Sequence, residues 1–258
     1  MNRVNLTVRF APWVGEQYAT EGFRGLRVLL VAESHYGGKH GERPTVTPEI
    51  VKALALGRKH PRATKKLKRH SHFAKIMTAT SNRCSAAGFR GIHRVDFWER
   101  VAYFNFLQEF MRDKRVEPPA EAWLRGAKAF AEVLQVLEPE LVVCFSSRMG
   151  SRVKSVAGNL PVAVVNHPSA HFAYGEANPV IQAQFERGVK LKAERTGTAF
   201  AEKPVFRKWL NATQGALPAH GPHLSTEELV ASRAEWSKLM AALDVEAQLA
   251  LAADGVAA

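Results

Sequence analysis

Cysteine is scarce in this sequence, and no apolar run is long. The 258 residues include only two cysteines, Cys84 and Cys144, too few for a disulfide framework or a cysteine-rich metal site. Cys144 lies in an apolar run, so we expect it to be a small buried hydrophobic residue. The most apolar stretch, Val28–Ala32, is far too short to cross a bilayer, and residues 1–10 lack the apolar core of a signal peptide. We therefore expect a cytoplasmic protein without a membrane partner.

Acidic residues are few relative to basic ones. The chain has 24 Asp and Glu against 36 Lys and Arg, which gives a formal net charge of +12. Such an excess predicts a polyanionic partner, with nucleic acid first and an acidic membrane surface second, while solubility alone is the ordinary alternative. Net charge alone does not distinguish these explanations. The residues that could bind a ligand or perform chemistry must distinguish them.

Short aliphatic runs alternate with helical patterns over the first 195 residues. We predict buried strands at residues 26–32, 101–106, 141–145 and 161–165, with helices at 119–137, 147–156 and 178–194. Buried runs separated by helices indicate an α/β fold with a mostly parallel central sheet flanked by helices on both faces. In such sheets the functional residues lie just beyond the carboxyl ends of the strands.

Two segments look like additions to this α/β domain, which we place at residues 1–195. Residues 58–70 hold seven Lys or Arg in thirteen positions and form a basic insertion. Residues 196–258 are predicted to be a linker followed by a C-terminal helical extension. Its helix spans about residues 225–252, with Ser225 and Glu228 forming a capping box at its start.

Polar side chains follow three of the predicted strands. Glu33, Ser34, His35 and Tyr36 follow the first strand, and Asn105 ends the second. The fourth strand is followed by the segment His167-Pro168-Ser169-Ala170-His171-Phe172. One such residue alone says little, because a buried histidine is often structural and an asparagine after a strand is a common turn former. Together, however, they bring an acid, an amide and a histidine to one edge of the sheet.

This set, in this order, resembles the uracil-DNA glycosylase superfamily over roughly residues 26–194. The third family motif is matched literally by His167-Pro168-Ser169. The first motif is matched in position by residues 33–36 and in identity, for one branch, by Tyr36. Asn105 fits the base-reading amide, and Phe73 falls where the family has an aromatic ring under the flipped base.

The resemblance implies a role for each of these residues in breaking a base–sugar bond. That reaction builds positive charge on the sugar and negative charge on the departing pyrimidine. His167 would donate to the base oxyanion, and Asn105 would pair with the base edge. Phe73 would stack on the base and Tyr36 would line the pocket near pyrimidine C5. Ser169 would bind a DNA phosphate. His171 and Phe172 would form a wedge in the gap left by the flipped nucleotide.

The first motif departs from the best-known branch at Ser34, where that branch has an aspartate that orients the attacking water. A serine cannot supply this charge. Glu33 is the nearest substitute, and Glu42 is a second candidate. The alternative is that Glu33 is structural and ties down a loop. Branches with an iron–sulfur cluster use four cysteines, so no cluster is expected here, and the implied reaction needs no metal or cofactor.

The basic insertion lies between the first motif and Phe73, at the rim of the expected pocket. Lys65, Lys66, Lys68 and Arg69 are therefore predicted to contact DNA phosphates. The ordinary alternative is that the basic insertion is a solvated charged loop without a partner. A third interpretation is that it contacts a substrate larger than an ordinary flipped base.

The sequence thus predicts a monofunctional DNA glycosylase that acts as a monomer, flips a pyrimidine nucleotide and leaves an abasic site. Uracil is the default base, and a hypermodified cytosine of phage DNA, removed in antiviral defence, is the rival. A second hypothesis is an inert nucleic-acid-binding protein on the same fold. A third is another hydrolase that uses His35 or His167 differently, although no Gly-x-Ser-x-Gly motif supports it.

Overall fold

The computed structural model describes residues 7–36, 42–58, 60, 70–83, 94–111, 113, 116–170, 172–194 and 200–215. Its strands are β1 (Trp13–Val14), β2 (Val28–Ala32), β3 (His35–Tyr36), β4 (Val101–Asn105), β5 (Phe110–Met111), β6 (Leu141–Cys144) and β7 (Val162–Val164). Five of them form a sheet in the order β1-β4-β2-β6-β7. Strands β4, β2, β6 and β7 run parallel, and β1 pairs antiparallel with β4 at one edge. The predicted mostly parallel sheet is therefore confirmed.

Helices cover both faces of this sheet. They are α1 (Val46–Ile50), α2 (Ser71–Thr80), α3 (Arg94–Glu99), α4 (Ala120–Leu137), α5 (Gly150–Ala157), α6 (Tyr174–Glu194) and α7 (Pro204–Gly215). A π-helical turn (Val51–Ala55) continues α1, and a 3₁₀ turn (Ser147–Met149) leads into α5. Apolar residues of α4, α5 and α7 pack on one face, and those of the π-helical turn, α2, α3 and α6 pack on the other.

Strands β2 and β6 are apolar throughout, as expected for strands whose two faces are both covered. In β2, Leu29 and Val31 point into the core under α4, and Val28 and Leu30 point into the core under α2 and α6. Cys144 on β6 is buried, as predicted, and burial raises the pKa of its thiol to about 12. Within the described part of the chain, no helix is both long and apolar enough to cross a membrane.

The order of the strands fixes where a ligand crevice forms. From β2 the chain moves to β4 on one side, and from β4 it crosses to β6 on the other side of β2. Connections that leave neighbouring strands in opposite directions open a crevice at the carboxyl ends of those strands. Here the two strands are β2 and β6, so Glu33 and Ser146 lie at the crevice.

Residues 200–215 differ from the sequence-based prediction, which placed them in a linker. They contain α7, whose Phe206, Trp209 and Leu210 are buried in the core on the α4 face. The spacing of these apolar residues is helical, but the surrounding glycines and prolines obscured it in the sequence. The linker prediction is therefore wrong for residues 200–215. The predicted helix at 225–252 lies outside the described residues.

Helix α7 also covers the sheet edge at β1. The backbone N–H of Val14 donates to Thr213 Oγ1 at 3.0 Å, and both residues are buried. We expect Thr213→Val to lower the free energy of unfolding by about 1–3 kcal/mol, because it leaves a buried N–H without its acceptor. Urea denaturation measures this change. Lys208→Ala, at an exposed position of the same helix, is the control, and an equal effect of both variants would contradict the edge contact.

Candidate active site

A cavity of about 790 Å³ lies beyond the carboxyl ends of β2, β4, β6 and β7. Its wall includes most of the predicted site residues that the structure describes: Glu33, Ser34, Tyr36, Phe73, Asn105, His167 and Ser169. Residues that the prediction did not include also line it, among them His70, His72, Tyr103, Ser146 and Arg148. Four strand ends and helix α2 thus meet around one space.

His167 lies in a tight turn that follows β7. The N–H of Ala170 donates to the His167 carbonyl oxygen at 2.8 Å, and the N–H of Ser169 donates to His167 Nδ1 at 3.1 Å. Because Nδ1 accepts a hydrogen bond, the proton of the neutral ring is on Nε2. His167 therefore has the tautomer whose Nε2–H can donate to a ligand oxygen.

Asn105 is held in the cavity wall by two neighbours and is 2% exposed. Its Nδ2 lies 2.9 Å from Nε2 of His35, which is also 2.9 Å from Thr47 Oγ1. Gln108 Nε2 donates to the Asn105 carbonyl oxygen at 2.7 Å. An amide that gives one N–H to His35 keeps its other N–H and its Oδ1 for a ligand.

His35 is a buried partner of Asn105 rather than an exposed acid or base. Burial, with a smaller contribution from Arg43, lowers the pKa of His35 to about 3. The ring is therefore neutral at neutral pH and fixes the orientation of the amide without a change of charge. This arrangement does not favour the alternative in which His35 performs hydrolysis.

Aromatic side chains form the floor and rim of the cavity. Phe73 on α2 is buried, with its ring against Trp98 (centroids 5.8 Å apart) and Tyr103 (5.6 Å). Tyr36 on β3 is 45% exposed, at the rim. A buried ring that lines a cavity can stack on a planar ligand, because its position is fixed by its neighbours.

Glu33 forms a buried ion pair. Its Oε2 accepts hydrogen bonds from Ser146 Oγ at 2.8 Å and from Arg148 Nε at 3.1 Å, and its Oε1 accepts one from Arg148 Nη2. The Glu33 side chain is 6% exposed, and that of Arg148 is 33% exposed. Arg148 also pairs with Glu117. Both oxygens of Glu33 are thus engaged at the crevice between β2 and β6.

Ser34 and Glu42 differ in their relation to the cavity. The Ser34 hydroxyl is buried in the wall and makes no hydrogen bond to any residue that the structure describes. Glu42 accepts hydrogen bonds from Arg9 and from the N–H of Phe110, both at 2.9 Å, and does not line the cavity. Glu42 therefore anchors the segment before α1, and its place does not support the role of second candidate acid.

Phe172 is not brought into the cavity. It packs against Phe145, with centroids 6.5 Å apart, and against Tyr174, with centroids 5.5 Å apart, and it lines a separate cavity of about 170 Å³. This half-buried packing differs from the exposed wedge that the resemblance implies. The other predicted DNA contacts, Lys65, Lys66, Lys68, Arg69 and His171, lie outside the described residues.

His72 is a site residue that the sequence analysis missed. Its ring lies against that of His167, with centroids 5.0 Å apart, and its Nε2 is 3.5 Å from the Tyr103 hydroxyl. Burial, followed by the charges of His167, His70 and Lys75, lowers the pKa of His72 to about 3. Its place beside Phe73 in the sequence was the available signal.

The described histidines do not form a metal site together with acidic residues. No group of three or more His, Cys, Asp or Glu in the described ranges is arranged to hold a metal ion. The side chains that line the cavity instead offer hydrogen-bond donors, a carboxylate–guanidinium pair and aromatic rings. No protein-family model matches this chain, and a search of curated proteins finds no match.

Proposed function

We propose that this protein is a DNA glycosylase that flips out a pyrimidine nucleotide and hydrolyses its N-glycosidic bond, leaving an abasic site. One observation carries the proposal: the Nε2–H of His167, the Asn105 amide and the Phe73 ring line one cavity at the carboxyl edge of the sheet. An oxyanion donor, a base-edge reader and a stacking surface are what base excision requires.

Each group has a defined part in the proposed reaction. The Phe73 ring stacks on the flipped base, and the free functions of the Asn105 amide pair with its edge. As the bond to the sugar breaks, negative charge grows on the base oxygen, and the His167 Nε2–H stabilises it. The Glu33 carboxylate, held by Arg148 and Ser146, offsets positive charge on the sugar. The oxygen of a water molecule bonds to C1′ as the bond to the base breaks, and a proton from that water ends on the departing base anion.

The test is base excision on defined duplexes, followed by detection of abasic sites. The substrates carry uracil, cytosine, 5-hydroxymethylcytosine or glucosylated hydroxymethylcytosine at one position, and His167→Ala protein controls for contaminating glycosylases. The cavity volume of about 790 Å³ is within the range for small-molecule pockets, roughly 300–1,000 Å³, so ordinary and enlarged bases are both tested. Binding of every duplex without any abasic site would overturn the proposal.

A second candidate is a nucleic-acid-binding protein that has lost catalysis. It is favoured by the engagement of both Glu33 oxygens with Arg148 and Ser146, because a carboxylate paired with a guanidinium carries little net charge to offer a reacting sugar or water. The excision assay separates the two candidates, because an inert protein binds DNA and removes no base.

We expect DNA binding to depend strongly on salt and little on sequence, because the basic insertion offers charges and no base-reading code. Neutralising Lys65, Lys66, Lys68 and Arg69 together should reduce the slope of log affinity against log salt by as much as about 3.6, since each phosphate contact contributes roughly 0.9. The control has the same net charge and neutralises exposed lysines of four helices, namely Lys128, Lys154, Lys190 and Lys208. Equal slopes in the two variants would mean that the insertion does not contact phosphate.

A further inference from the structure

Helix α2 contacts the His167 turn at two points. The ring of His72 lies against the ring of His167, with centroids 5.0 Å apart. The Nζ of Lys75 donates to the carbonyl oxygen of Pro168 at 2.7 Å. Residues three apart lie on the same side of a helix, so His72 and Lys75 meet the turn together.

Regular secondary structure does not hold the His167 turn. Between the end of β7 and the start of α6, the residues that the structure describes adopt neither helix nor strand. Side-chain contacts therefore matter for its geometry. The Ser169 N–H donates to His167 Nδ1, and the His72 imidazole packs against the His167 ring.

His72 is itself fixed by its surroundings. Phe73 meets it edge-on with centroids 5.2 Å apart, His70 lies on another side at 6.3 Å, and the Tyr103 hydroxyl is 3.5 Å from its Nε2. Burial, with smaller contributions from neighbouring side chains, lowers its pKa to about 3, so the His72 ring is neutral at neutral pH. A neutral His72 ring packs against the neutral Nε2–H tautomer of His167 without charge repulsion.

We propose that His72 and Lys75 are positioning residues that hold the His167 turn so that Nε2–H points at the base. The proposal rests on the glycosylase function proposed above and deepens it. Helix α2 then has two tasks in one site, because it also carries Phe73, the stacking ring. The distance between the stacking ring and the proton donor is thereby set by a single rigid helix.

The kinetic test compares His72→Ala with His72→Phe. His72→Ala should lower the single-turnover rate by about ten- to a hundredfold, the size expected for misplacement of a catalytic group, with unchanged DNA affinity. His72→Phe keeps a flat neutral ring and should recover most of the rate. A phenylalanine variant as slow as the alanine variant would overturn positioning, because the imidazole itself would then be required.

Lys75→Met removes the hydrogen bond to Pro168 while keeping a long side chain, and it should slow excision by about tenfold. Lys190→Met, at an exposed position of α6, is the matched control for the lost charge and should excise at the wild-type rate. The Lys75 variant also keeps the proposal testable should His72→Ala fail to fold. Equal rates for Lys75→Met and Lys190→Met would overturn the part assigned to Lys75.

A second readout does not depend on excision. In ¹⁵N NMR spectra of the imidazoles, wild-type His167 should show the shifts of the Nε2–H tautomer, and His72→Ala should shift or broaden them. Unchanged His167 signals in His72→Ala would overturn the positioning role. If the wild-type protein excises no base, the proposed function fails, and these spectra still decide whether α2 orients the ring.

Discussion

Replacing His167 with alanine is expected to lower the single-turnover rate of base excision by roughly 100- to 1,000-fold. Loss of one preorganised donor to a developing oxyanion has a cost of this order. The Ser169 N–H donates to Nδ1, so the proton of the neutral His167 ring is on Nε2, which is the donor that the proposed reaction requires. Because this interaction strengthens only as charge develops, the affinity for DNA should change little.

His167→Gln is the informative companion variant. A glutamine offers an amide N–H in place of the ring N–H, and it should retain more activity than alanine. Melting temperatures of both variants should stay near that of the wild-type protein, because His167 lies at a cavity and not in the core. Full activity of His167→Ala would remove the glycosylase assignment.

Arg148→Ala is expected to lower the free energy of unfolding by about 3–5 kcal/mol, the usual cost of leaving a buried charge without its partner. Among the residues that the structure describes, Ser146 would then be the one remaining hydrogen-bond donor to the Glu33 carboxylate, whose side chain is 6% exposed. Glu33→Gln should cost less, because Arg148 is 33% exposed and can turn to Glu117 or to water. Urea denaturation measures both changes, and Arg152→Ala controls for loss of a nearby arginine that does not contact Glu33.

The same pair separates the catalytic role of Glu33 from a structural one. If the Glu33 carboxylate stabilises the sugar cation or orients water, Glu33→Gln should slow excision on the order of a hundredfold in fully folded protein. If Glu33 only ties β2 to the segment after β6, the rate should fall in proportion to the folded fraction. A stable and fully active Glu33→Gln protein would contradict both roles and require another acid.

The sheet was predictable because its strands are buried on both faces. The runs at β2 and β6 are continuously apolar. In an α/β domain, a short run of this kind is typical of a central strand that is buried on both faces. The site edge is predictable for the same reason, because functional residues of parallel sheets lie beyond the carboxyl ends of the strands, where Asn105, His167 and Ser34 are found. Strand β1 was missed because a strand of two residues shows no periodicity in the sequence.

Partners that are distant in sequence were not predictable. Glu33 and Arg148 are 115 residues apart, and nothing in the local pattern around either residue identifies the other. Phe172 was assigned to DNA because of its place after the His-Pro-Ser segment, whereas its packing depends on Phe145 and Tyr174 from other parts of the fold. Local sequence identifies which residues reach an edge, and tertiary contacts decide which of them are already paired.

The contact between β1 and α7 has a consequence for biosynthesis. Val14 N–H and Thr213 Oγ1 are separated by 199 residues. Strand β1 can join the sheet once β4 has been made, and Thr213 is synthesised well after β4. At about 5–20 residues per second, the ribosome needs roughly 5–20 s to make the segment between Asn105 and Thr213. During that interval the N-terminal strand presents an open hydrogen-bonding edge, the kind of surface on which nascent chains associate with one another and with chaperones.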